Sequence, residues 1–330
     1  MLARVILREL WLNIGGAMKP NYFQHNNQWQ LSPDQPVWSW SLAQQLRPEL
    51  LNYVWRLFKP QQNQLTRQIA SSMAGYVLAL DRSISPDQPV KIRFVVDQNN
   101  FTQAVRNLIV LRAGVRATLE IDCSSCQCFG ARHLSLTEVF LEPGARLDLH
   151  MNHAWDPNAT VRPLLSARLA KDAQLIYRYR CLQAPASLVS SPKIILAGDG
   201  AKFTADNRLR VANQARIKIG NRVWLNGAGQ SAQLVTKIVS DGGQAFNHDQ
   251  ITATGASQGH IECDGLLLNN RAMVASVPSI IARSPQAELS HEASIGKLNP
   301  EQVEYLMTRG LTRSQAIELL ISGFLAEKRL

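Results

Sequence analysis

Ala117-Thr118-Leu119-Glu120-Ile121, Ala145-Arg146-Leu147-Asp148-Leu149 and Ala173-Gln174-Leu175-Ile176-Tyr177 repeat one pattern every twenty-eight residues: a small residue, then apolar residues two and four places on. Ala131, Ala159, Ala201 and Ala215 fall on the same grid when its interval is halved to fourteen, and Ala215 is again followed by Ile217 and Ile219. The grid is imperfect. Its place at Ser187 holds no alanine, Ala131 lacks the apolar followers, and Ala159 sits in the loop-like run Trp155-Asp156-Pro157-Asn158. Farther on the phase slips, then returns at Ala232 with Leu234, Ala272 with Val274 and Ala287 with Leu289. Alternate residues of a strand share a face, so each repeat predicts a turn followed by a short strand with its apolar residues inward. Such a repeat is how a parallel β-solenoid is written in sequence. The expected fold class is mainly β, a right-handed parallel β-helix flanked by N-terminal and C-terminal helical regions.

Three segments follow from the texture of the chain. Residues 1–88 are mixed, with helix-like apolar spacing at Leu50 to Phe58 and Leu65 to Leu80, interrupted at Pro33-Asp34-Gln35-Pro36 and Ser85-Pro86-Asp87. Residues 89–297 carry the short alternations of the β-helix core. Residues 298–330 form a predicted helical hairpin: Asn299-Pro300-Glu301-Gln302 offers an N-cap with proline at the first helical position, Gly310 ends that helix, and Thr312-Arg313-Ser314-Gln315 is a capping box for the next. Ile317, Leu320, Ile321, Phe324 and Leu325 mark one apolar face of the second helix. The hairpin either packs on the end of the solenoid or docks a partner.

The chain has 330 residues, 45% hydrophobic and 18% charged, a globular composition able to bury a large core. Five cysteines in no regular framework argue against a disulfide-stapled secreted protein and for a reducing cytoplasm. Arg4, Arg8 and Glu9 interrupt the apolar residues of Met1 to Met18, unlike a signal peptide, and no later stretch has the length of a membrane span. The net charge of +10 suits nucleic acid, an acidic partner or an anionic surface equally. In Tyr177-Arg178-Tyr179-Arg180, Arg208-Leu209-Arg210 and Arg216-Ile217-Lys218 the charges alternate with apolar residues, which reads first as a solvated outer sheet face and second as a nucleic-acid groove.

Two groups of residues have metal-binding chemistry. Cys263 and His291 lie twenty-eight positions apart, each four residues after the small residue of its repeat, and Glu292 follows His291. An exact repeat would stack Cys263 and His291 on neighbouring strands about 4.8 Å apart, with Glu292 on the opposite face. Either thiol and imidazole share a metal, with Glu292 joining at a strand end, a bulge or a second subunit, or Cys263 is a small buried apolar residue and His291 a hydrogen-bonded one. Cys123-x-x-Cys126-x-Cys128 offers half a zinc or iron–sulfur knuckle without its second half, and His150 with His153 offers less. There is no phosphate-binding loop and no nucleophile elbow, so ATP hydrolysis by this chain is not expected.

Cys263-Asp264-Gly265-Leu266-Leu267-Leu268, Pro278, His291-Glu292-Ala293-Ser294-Ile295-Gly296-Lys297-Leu298, Glu301-Gln302, Tyr305-Leu306 and Arg309-Gly310-Leu311 together resemble the C-terminal signature of the SufB/SufD family of iron–sulfur cluster assembly proteins. The match runs from about Gly198 to the C-terminus, extended loosely by Asn152-His153-x-Trp155 and Val161-Arg162-Pro163. The resemblance implies a parallel β-helix that dimerises through its end, holds the ABC-type ATPase SufC through its C-terminal helices, and builds a nascent iron–sulfur cluster. It implies that Cys263 and Glu292, as in SufB-type members, and His291, as in SufD-type members, hold the metal of that cluster, and that the chain is a non-catalytic scaffold. The closest likeness is to the short SufB-type subunit of a minimal system, working as a homodimer or with a paralogue, with a sulfur donor such as a cysteine desulfurase.

SufB-type chains also tend to carry a cysteine where this chain reads Pro192-Lys193-Ile194-Ile195-Leu196-Ala197-Gly198-Asp199, so a SufD-like structural subunit is the alternative. A carbohydrate-active β-helix would need acidic residues on one strand face, and Asp206, Asp241 and Asp249 form no such cluster in sequence.

Overall fold

The computed structural model describes residues 20–32, 36–212 and 214–326, in which the chain winds into a parallel β-solenoid of about eight turns. Met1 to Met18 and the break at Pro33-Asp34-Gln35 lie outside the described residues. One wall is a ten-stranded sheet that ends at strand Glu288–Lys297, and the other is a thirteen-stranded sheet.

The alanine grid has a simple cause. Ala145, Ala173 and Ala201 immediately precede successive strands of the first wall, Ala131 and Ala159 precede strands of the second, and one coil there takes two grid intervals, whereas Ala117 lies inside its strand and pairs with Leu147, thirty residues on. All six are buried, although the place does not demand a methyl: Val115 stands one coil before Ala145 and Phe101 one coil before Ala131. Leu149 pairs with Tyr177, and Tyr177 with Ala205, each twenty-eight residues on. Apolar residues at these inward positions stack into one continuous core through the length of the solenoid, a row of small repeated burials.

Beyond strand Thr160–Leu169, which pairs with both Ser187–Ser190 and Lys193–Leu196, the second wall divides into two short strands per coil. Pro192, Gly220, His248 and Pro278 sit at the four successive corners between them. Gly220 is required there: its φ is +153°, and a Cβ would lie 2.0 Å from the His248 carbonyl oxygen.

The N-terminal segment is less helical than its apolar spacing predicts. Helices form at Trp40–Leu46 and Gln64–Ala70, with a 3₁₀ turn at Pro48–Tyr53. The helix expected to continue to Leu80 stops at Ala70. Gly75, at φ +101° and with no room for a Cβ beside the Arg106 carbonyl, turns the chain into strand Val77–Leu80, whose four residues are all buried and pair with Leu108 to Leu111. A continuous apolar run is the pattern of a strand covered on both faces. Strand Tyr22–His25 likewise pairs in parallel with the solenoid. Four strands before residue 89 thus belong to the two sheets: these two, paired in parallel with the solenoid, and Gln28–Leu31 and Val37–Trp38, paired antiparallel to them.

The N-terminal helices cover the outer face of the second wall. The Trp40 indole donates to the Arg106 carbonyl at 2.7 Å, while the Arg106 guanidinium lies 3.9 Å from the centre of the Trp40 ring. Glu138, buried, accepts backbone N–H bonds from Trp55 at 2.8 Å and Leu57 at 2.7 Å.

The C-terminal hairpin forms as its caps predict, with helices Pro300–Thr308 and Arg313–Phe324 and side-chain caps from Asn299 and Thr312. It packs on the outer side of the first wall, where Glu318 pairs with Arg210 at 2.7 Å and the Phe324 ring receives the Lys237 ammonium at 5.3 Å. Val303, Ala316 and Ile321 are buried, while Tyr305, Met307 and Leu319 remain exposed. Among the described residues no helix is long and apolar enough to cross a membrane.

Candidate functional site at the open end of the solenoid

The last two strands of the first wall, Ser257–Leu267 and Glu288–Lys297, carry Cys263, His291 and Glu292. Their register sets Ile261 opposite His291, Glu262 opposite Glu292 and Cys263 opposite Ala293. The step between them is thirty residues rather than the twenty-eight of the repeat, so His291 lies one inward position short of the place predicted for it, diagonal to Cys263. Paired residues share a face. Cys263 and His291 therefore both face the lumen, and Glu292 faces outward with Glu262.

Cys263 is fully buried. Its thiol is pushed up to about 11, first by burial, against hydrogen bonds with Ser276 and Asn247 that favour the thiolate and with the nearby Asp249 charge opposing it. The group is thus a neutral thiol near pH 7. Asp249, itself buried, is the hub of the surrounding polar interior. It accepts from the Asn221 backbone N–H at 2.7 Å and side-chain amide at 2.9 Å, from the Thr236 hydroxyl at 3.1 Å and from the Asn247 amide at 2.9 Å. Asn247 also reaches Ser276 at 3.4 Å. These residues come mainly from the divided second wall and meet Cys263 across the lumen, which is why the repeat does not announce them.

His291 is exposed although its partner Ile261 is fully buried, because among the described residues no further coil stacks on the last strand. On the outer face, His260, Glu262 and Glu292 come together: one ligand atom from each lies within 4.8 Å of the others. The His260 Nε2 is 3.6 Å from the Glu292 carboxylate, and its Nδ1 is 2.9 Å from the Ser290 hydroxyl. The motif reading gave His260 and Glu262 no role. Their signal was present in the even spacing that puts both on the face of Glu292.

The remaining candidates disperse. Cys123 faces the lumen, Cys126 is exposed in a turn, and the buried Cys128 directs its thiol to the Val96 carbonyl at 3.4 Å and Asp156 at 3.7 Å. His150 is on the outer face with Asp148 and Arg178, whereas His153 is buried and bonds the Tyr179 hydroxyl at 3.0 Å. Four of the alternating basic residues are engaged by acids, Arg178 by Asp148, Arg180 and Arg208 by Asp206, and Arg210 by Glu318, while Arg216 and Lys218 are exposed. Those four form a salt-bridged outer sheet face.

The family model for the SufBD core domain of SUF-system FeS cluster assembly matches residues 94–324. The chain is 27% identical over 285 residues to an iron–sulfur cluster assembly SufBD family protein of Methanothermobacter thermautotrophicus (strain Winter), covering 84% of this chain and 70% of that one. It is 27% identical over 276 residues to a SufBD family protein of Archaeoglobus fulgidus, covering 83% and 74%. A Pyrococcus horikoshii relative of the same description is 28% identical over 273 residues, covering 82% and 61%.

Proposed function

Because the chain belongs to the SufBD family of iron–sulfur cluster assembly proteins, we propose that it is a non-catalytic scaffold on which a nascent cluster is built at the open end of the β-helix. The observation that carries this reading is the uncovered last coil, with Cys263 just inside it and His291 and Glu292 on its rim strand. A second β-helix seated on that end, an identical chain or a paralogue, closes the lumen and brings a second rim against the first. Iron and sulfide enter as cargo. Cys263, once deprotonated, is a thiolate ligand, and His291 and Glu292 complete the shell across the interface.

The partners in this reading are a SufC-like ABC ATPase and a sulfur donor such as a cysteine desulfurase. The hairpin Pro300–Phe324 is the docking element, supported by its exposed Tyr305, Met307 and Leu319. ATP-driven closure of two ATPases would shift the two β-helices and open the interface, which requires different contacts in the two states.

One observation favours the SufD-like structural alternative: Cys263 is buried and its thiol is pushed up to about 11 by that burial, as in a cysteine that only fills space. Anaerobic reconstitution with iron and sulfide decides. On the scaffold reading wild type co-purified with the ATPase gains a cluster, read by absorption and Mössbauer spectra, and Cys263→Ser does not. Equal cluster content in both would make Cys263 a packing residue. Truncation after Leu298 is expected to abolish ATPase binding, and retained binding would remove the hairpin from the docking role.

A further inference from the structure

The outer-face trio is separate from the lumen thiol, and we propose that His260, Glu262 and Glu292 form a surface site for one hard-to-intermediate divalent transition-metal ion, of the ferrous or manganous class. The proposal does not depend on cluster building at Cys263, with which it shares only Glu292.

Three observations carry it. First, the donor atoms are already gathered within 4.8 Å of one another. Ligands at about 2.0–2.2 Å from a common ion stand up to about 4 Å apart, so small rotations of two partly or fully exposed glutamates close the set. Second, Glu262 and Glu292 are directly opposite across the ladder. Two carboxylates on one face of adjacent strands can reach a single dication together. Third, His260 is oriented through its far nitrogen: Nδ1 is held 2.9 Å from the Ser290 hydroxyl, leaving Nε2 on the side of Glu292. A ring fixed through one nitrogen while the other is offered is the usual arrangement of a metal-ligating histidine.

One imidazole and two carboxylates leave coordination positions for water and suit Fe²⁺, Mn²⁺ or Zn²⁺ better than a soft, thiolate-seeking ion. The site borders a groove of about 510 Å³ whose lining includes Lys202, Gln233, Gln258, His260, Glu288 and Ser290. That groove gives a further ligand or a hydrated ion access from solvent. The rim would then hold an iron ion outside the lumen and beside the place where the proposed assembly occurs.

Mn²⁺ titration of the full-length protein, read by the loss of the free-ion EPR signal, tests the site with a metal that does not require a thiolate. One bound Mn²⁺ per chain is expected for wild type and for Cys263→Ser. His260→Ala and Glu262→Gln, both at positions open to solvent, are expected to weaken binding more than about tenfold, and Ser290→Ala to weaken it with unchanged stoichiometry. Thermal melts matching wild type tie the loss to ligation. A wild-type chain that binds no Mn²⁺, or His260→Ala and Glu262→Gln variants that bind it as wild type does, overturns the proposal. Loss of cluster in Cys263→Ser with Mn²⁺ binding intact shows that the two sites stand or fall separately.

Discussion

Cys263 and Glu292 belong to adjacent hydrogen-bonded strands and face opposite sides of them, the thiol into the lumen and the carboxylate to the outer surface. Within one chain they do not converge on one ion. If a cluster uses both, a second chain must supply one of them, and this has a genetic signature. Co-expressed Cys263→Ser and Glu292→Ala chains form mixed dimers with one intact and one doubly damaged interface site. With random pairing the mixture is expected to regain about a quarter of the wild-type cluster content, while either variant alone has none. No recovery in the mixture would mean that both ligands come from the same chain or that one of them is not a ligand.

On the scaffold reading, the buried thiol makes metal capture by Cys263 pH-dependent. With its pKa pushed up to about 11 by burial, Cys263 is about one part in a thousand thiolate at pH 8, and a metal must displace its proton. Apparent affinity for Co²⁺, followed by its thiolate charge-transfer band, is expected to rise about tenfold per pH unit between pH 7 and 9. Cys263→Ser should lack the band at every pH. A flat profile would place the metal on other ligands.

Asp249 holds the interior beside Cys263 in place. Replacing it with alanine strands the Asn221 N–H and amide, the Thr236 hydroxyl and the Asn247 amide, all in a buried setting. The expected cost is about 2–5 kcal/mol, read as a lowered midpoint in urea. An unchanged midpoint would show that these donors find other partners.

His133 and His153 give the fold an acid limit well above the carboxylate range. Both are buried, and burial pulls each down to about 3. Between about pH 6.5 and 3 the unfolded chain binds these protons and the folded chain does not, so their contribution is complete above pH 6.5 and lost as pH falls. Stability is expected to drop by roughly 1.4 kcal/mol per pH unit per histidine in that window. Urea melts at pH 7 and pH 5 measure it, and equal midpoints would count against neutral buried rings.

What was legible in sequence was local or periodic. Ala145, Ala173 and Ala201 announce the coil because they recur at one ladder position every twenty-eight residues, and Asn299 and Thr312 announce the helices because a cap acts within three residues. What was hidden depends on the count of residues in a turn or on contact between walls. Two extra residues between Ile261 and His291 move the imidazole off Cys263. Asn247, Asp249 and Ser276 reach the thiol from the other wall, whose division into short strands breaks the grid that located Cys263. Val77–Leu80 read as helix because an apolar run buried on both faces has no period of two to betray it.

The open end itself is the most direct test of assembly. Ile251 is fully buried, whereas Ile280, its ladder partner one coil on, is 37% exposed. The two sit at the same inward position, and the difference is the coil that is missing above Ile280. Val277, Ile281 and Ile295 are exposed at the same end, and strand Glu288–Lys297 is the edge of its sheet. An apolar lumen mouth beside an unprotected edge is a surface that pairs. We expect wild type to be a dimer at micromolar concentration by analytical ultracentrifugation. Ile280→Glu with Ile295→Glu places charges in the mouth without removing any closed coil, so the variant should be a monomer with little change in melting temperature. It should also fail to accumulate a cluster while still binding the ATPase through the hairpin. A monomeric wild type, or a double variant that still dimerises, would move the subunit contact away from this end and with it the site built on Cys263, His291 and Glu292.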